Sequence, residues 1–90
     1  MKTYLVTYLL DDSSVTYSKI SSCIKKYPNW AKVFARTWLI KSKDKSSVIR
    51  DDLSSAINGE GKILIIEITS ASWATYSIDK TVTNWIKENM

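Results

Sequence analysis

Ninety residues carry 13 Lys and Arg against 9 Asp and Glu, a net charge of +4, with 44% hydrophobic residues, one cysteine and no histidine. A chain of this size builds one core. A lone Cys23 and the lack of histidine exclude an internal disulfide, a four-thiolate zinc site and histidine general-base chemistry.

Met1-Lys2 leads directly into a strand pattern. Neither the apolar core of a signal peptide nor the roughly 20 apolar residues of a membrane helix is present, which predicts a cytoplasmic protein with no membrane partner. Alternation over residues 2–10 sets Tyr4, Val6, Tyr8 and Leu10 on one face and Thr3, Leu5, Thr7 and Leu9 on the other. Both faces are partly apolar, as in a central strand or one facing a second subunit. Asp11-Asp12-Ser13-Ser14 stops the strand and offers helix N-caps. A helix over 15–27 then aligns Tyr17, Ile20, Ile24 and Tyr27, and Pro28 ends it.

Residues 30–42 read as two short strands turning at Ala35-Arg36, with one long bent strand as the alternative, since no Asn-Gly marks a tight hairpin. A second helix over 46–57 buries Ile49, Leu53, Ala56 and Ile57, and Asn58-Gly59 supplies its left-handed stop. The run Ile63-Leu64-Ile65-Ile66, within a strand over 62–69, predicts a central position in the sheet. After a short 73–76 segment, a helix over 78–87 aligns Ile78, Val82, Trp85 and Ile86 to cover a sheet edge or a second subunit. This order predicts an α+β fold, a ferredoxin-like βαββαβ sandwich with an additional C-terminal helix, as a single domain over residues 1–90. Its two main helices cover one sheet face and leave the other open to a partner.

Thr3-Tyr4-Leu5-Val6-Thr7-Tyr8, the Thr37-Trp38 pair and the final apolar strand resemble the ferredoxin-like superfamily of the second CRISPR-associated adaptation protein and virulence-associated protein D. The resemblance spans roughly residues 1–69. It implies a homodimer and, for the active CRISPR members, a magnesium-dependent nuclease in which each subunit gives one aspartate after the first strand. Here that position holds Leu9, which cannot coordinate a cation. The C-terminal helix also replaces the additional strand usual in those members. The resemblance therefore implies the fold and a homodimer. With the basic balance, the aromatic sheet and Leu9 in place of the aspartate, the chain reads as a non-catalytic homodimeric binding module, first of all for nucleic acid, with no cofactor. One alternative is a magnesium nuclease; another is a small protein–protein regulatory module of phage or toxin–antitoxin type.

Under the nuclease alternative Asp11 and Asp12 are the metal ligands, because magnesium takes oxygen donors. Their competing role is strand termination and helix capping, and Asp51-Asp52 reads as a solvated helix face. For a nucleic-acid partner the candidate phosphate contacts are Lys41, Lys43 and Lys45, the densest positive run in the chain, with Arg36 and Arg50 nearby. Trp30, Trp38 and Tyr8 offer stacking surface. Tyr8, Trp73 and Trp85 are the candidate interface aromatics. Cys23, with no histidine to activate it, reads as a small semi-buried residue and not a nucleophile.

Overall fold

A computed structural model describes residues 1–11 and 14–90, and the side chains of all of these except 14 and 15. The described elements run β1 (Lys2–Leu9), α1 (Ser14–Ile24), β2 (Asn29–Phe34), β3 (Thr37–Ser42), α2 (Ser46–Ala56), β4 (Lys62–Glu67) and α3 (Lys80–Asn89). The strands form one sheet in the order β2-β3-β1-β4, and every neighbouring pair is antiparallel. This is an α+β molecule with a four-stranded antiparallel sheet and three helices, compatible with a ferredoxin-like arrangement.

Residues 30–42 form two strands, joined at Ala35-Arg36, with a register shift between Lys32 and Phe34. The two-residue turn at Ala35-Arg36 reverses the chain, and the register shift beside it sharpens the local twist. Helix α1 stops at Ile24, short of the predicted Tyr27. Its chain continues as a tight turn in which Lys26 N–H reaches the Cys23 carbonyl and Tyr27 N–H the Ile24 carbonyl. Pro28 explains the tightening, since it disfavours helical geometry at Tyr27. The N-caps expected at Asp12 and Ser13 lie outside the described residues. Helix α2 ends as predicted: Asn58 and Gly59 take positive φ, and Gly59 N–H bonds back to the Ser54 carbonyl. Gly61 is obligatory for a different reason, because a Cβ there would lie 2.7 Å from the Leu9 carbonyl oxygen.

The first sheet face carries Tyr4, Val6, Tyr8, Leu10, Trp38 and Ile40, which bury against Ile20 and Ile24 of α1 and Ile49 and Leu53 of α2. The second face is not left open, as the sequence had suggested. Helix α3 lies on it, burying Val82 and Ile86 against Leu39, with Leu5, Val33, Ile78 and Trp85 around them. Asn29 fixes the helix end: its side chain accepts from the Trp85 indole at 2.8 Å and donates to the Asn89 amide oxygen at 2.6 Å.

Strand β4 is the second correction. It pairs with β1 alone and forms an edge of the sheet. Its apolar run has a split fate. Ile63 and Ile65 pack on the first face, while Leu64 and Ile66 remain 54% and 45% exposed. Both sides of the strand are apolar, one packed on the first face and the other exposed. Among the described residues, no helix is long and apolar enough to cross a membrane.

Candidate functional site

Antiparallel register and helix spacing bring four aromatic rings into one row along the flank where α1 meets β2. Trp30 and Trp38 are cross-strand neighbours on the first face, with ring centroids 5.5 Å apart. The Trp38 indole donates to the Tyr8 hydroxyl at 3.0 Å, and Tyr8 lies 6.1 Å from Tyr17 of α1. Tyr17 in turn exchanges hydrogen bonds with the Leu10 backbone, fixing the row against the end of β1.

Three cations roof this row. Lys25 sits over Trp30 at 5.6 Å, Lys32 over Trp38 at 5.5 Å, and Arg36 over Tyr17 at 4.9 Å. Each contact contributes about 0.5–1 kcal/mol at an exposed site, enough to bias a long side chain toward one position. A cavity of ≈ 450 Å³ opens beside the last two, lined by Tyr8, Tyr17, Ser18, Ser21, Lys32 and Arg36. Two cationic side chains and two serines thus line one space, a donor-rich composition suited to an anion.

The predicted phosphate contacts are not brought together. Arg36 lies at one end of β3 and Lys43 past the other, about 20 Å apart at strand rise. Lys41 faces the second side of the sheet, opposite Thr3 and Asn29. Lys43 and Lys45 are exposed in the loop before α2, a loop held by the Tyr4 hydroxyl donating to the Asp44 carbonyl at 2.6 Å. Arg50 is turned to its own neighbour, with Asp51 2.9 Å away. Only Arg36 belongs to the aromatic row.

Stacking and interface candidates are also redistributed. Trp38 is fully buried and Tyr8 is 5% exposed, so both serve the core and offer almost no face to a partner. Trp30, at 37% exposure, keeps part of its ring at the surface. Trp85 is half-buried against the second face, and Trp73 is exposed in the irregular segment before α3. Asp11 is exposed beyond β1, and Asp12 lies outside the described residues. Among the described residues, no group of three or more Cys, Asp or Glu side chains is placed to hold a metal ion.

Asp52 is more than a solvated carboxylate. It accepts from the Tyr27 hydroxyl at 2.8 Å and from the Cys23 thiol at 3.5 Å, tying α2 to the end of α1. Burial pushes the Cys23 thiol up to about 11, and the Asp52 charge and hydrogen bond add to the rise. Tyr27 is raised too, again first by burial. A thiol held protonated in this way is a poor nucleophile.

Sequence reasoning missed Lys25, Lys32 and Tyr17, although a signal existed. Tyr17, Ser21 and Lys25 recur at four-residue spacing, and Trp30 and Lys32 share one strand face. No protein-family model matches this chain, and no curated protein matches it.

Proposed function

We propose that this protein is a non-catalytic, homodimeric, cytoplasmic module of ferredoxin-like fold that binds nucleic acid. The observation that carries the reading is the row of rings roofed by Lys25, Lys32 and Arg36. The cations meet the phosphate backbone while the part of Trp30 left at the surface meets a base, the combination that single-strand binders use. The strand order β2-β3-β1-β4 supports the ferredoxin-like reading. For the dimer, support comes from the unpaired edge of β4 and the exposed Leu9, Leu64 and Ile66 on its open side.

The test is a titration of labelled single- and double-stranded DNA and RNA at low and moderate salt, with and without magnesium, followed by a gel of the products. The expected result is salt-sensitive binding with intact nucleic acid. Magnesium-dependent cleavage lost in Asp11→Ala or Asp12→Ala would replace this reading with the nuclease. No binding at low salt would replace it with a protein–protein module.

A further inference from the structure

We infer that the cavity between α1 and the β2–β3 turn is a phosphate seat, and that a single strand of nucleic acid crosses this flank with one phosphate in the seat and a neighbouring base on Trp30. The inference rests on the nucleic-acid reading and specifies where the strand lies. Four donor-bearing residues line the seat: Lys32, Arg36, Ser18 and Ser21. The Arg36 guanidinium lies over Tyr17 at 4.9 Å and the Lys32 ammonium over Trp38 at 5.5 Å. Each head group carries several N–H donors, more than one ring contact engages. Both cations are thus positioned before a ligand arrives, which reduces the ordering cost of binding.

Single strands are favoured over a duplex by the neighbouring ring. Trp30 keeps 37% of its surface and carries Lys25 at 5.6 Å, so one post offers both a stacking face and a second phosphate contact. Trp30 and Lys32 are two residues apart on one strand, about 6.6 Å along it. A base in a duplex presents its edge and not its face, and could not use Trp30 in this way. The Lys43–Lys45 loop also borders a cavity, of ≈ 500 Å³, but Asp44 and Asp52 line it beside Lys43, Lys26 and Tyr27, which disfavours an anion there and makes the loop the natural control.

The experiment compares fluorescence anisotropy of labelled single-stranded DNA, single-stranded RNA and duplex DNA across a salt series. It uses the wild type, the Lys32→Gln/Arg36→Gln pair and the Lys43→Gln/Lys45→Gln pair, with circular dichroism verifying that each variant is folded. Phosphate alone is titrated into the labelled wild-type protein, reading the amide signals of Ser21, Lys32 and Ala35 by NMR. The seat predicts that the first pair weakens single-strand binding roughly tenfold or more, as loss of a charge-assisted contact does. It also predicts a salt slope lower by about 0.7, the value for one phosphate on a single strand. The second pair should change affinity less than the first, and phosphate should move the three amides. Equal losses in both pairs, or an unmoved Lys32 amide, would overturn the seat while leaving nucleic-acid binding intact. No binding by the wild type to any strand would overturn both. The DNA and RNA arms distinguish the source of the phosphodiester.

Discussion

The two faces of the sheet are closed to different degrees, although the same four strands build both. Over the first face, α1 and α2 leave Val6, Trp38, Ile40, Ile20, Ile24, Ile49 and Leu53 almost without exposure. Over the second, the buried residues are Thr3, Ala31, Leu39, Val82 and Ile86, and Leu9, Leu64 and Ile66 remain exposed. The first face has the residues that determine stability. The second keeps exposed apolar side chains beyond what α3 covers.

The sharpest way to break this contrast is to cut into each face. Trp38→Ala removes a fully buried indole together with its hydrogen bond to Tyr8, and should cost about 3–5 kcal/mol in urea unfolding. Ile86→Ala should cost only about 2 kcal/mol, the low end for such truncations, because the cluster around it is small and can relax. Amide exchange should then show α3 opening before the sheet. Equal costs at the two positions would mean that the second face is as integral as the first.

A middle-sized effect separates stability from association. Leu64→Lys with Ile66→Lys should leave folding stability within about 0.5 kcal/mol, as changes at exposed positions usually do. In sedimentation equilibrium the same variant should be a monomer where the wild type is a dimer. A wild type that stays monomeric at high concentration would remove the dimer from the proposal. A doubly substituted dimer would move the interface elsewhere, with exposed Trp73 the next residue to change.

The difference between the faces also explains what could be read in advance. Helix and strand identities were legible because their periods are local: Ile49, Leu53 and Ile57 at four-residue spacing permit little but a helix. The position of β4 was not, because Ile63-Leu64-Ile65-Ile66 reads the same in a strand flanked by two neighbours and in an edge strand with one open apolar side. Helix α3 announced a buried stripe without announcing what it buries, since that depends on where the chain goes after β4. The aromatic row required strand register as well as sequence. Trp30 and Trp38 become neighbours only when Trp30 pairs with Ile40 and Lys32 with Trp38, and no motif in the sequence sets that pairing.

The smallest effect probes the closed face alone. Between α1 and α2, Cys23 keeps its proton up to about 11 against an ordinary 9.0, first through burial and then through the Asp52 charge and hydrogen bond. The folded state therefore still holds this proton between pH 9 and 11, where the unfolded chain has released it. Fewer protons in the unfolded state mean that stability falls as pH rises through this window and is fully retained below it. Tyr27 has the same sign, raised by burial and by the same carboxylate, and extends the fall to higher pH. Urea midpoints measured at pH 8, 9, 10 and 11 should decline, with a shallower decline in Cys23→Ser between 9 and 11. Leu64→Lys with Ile66→Lys should keep the wild-type decline, because these side chains lie across the sheet from the thiol. If Cys23→Ser follows the wild-type curve, Asp52 does not couple the two helices through the thiol, and the Tyr27 hydroxyl at 2.8 Å is the contact that holds them.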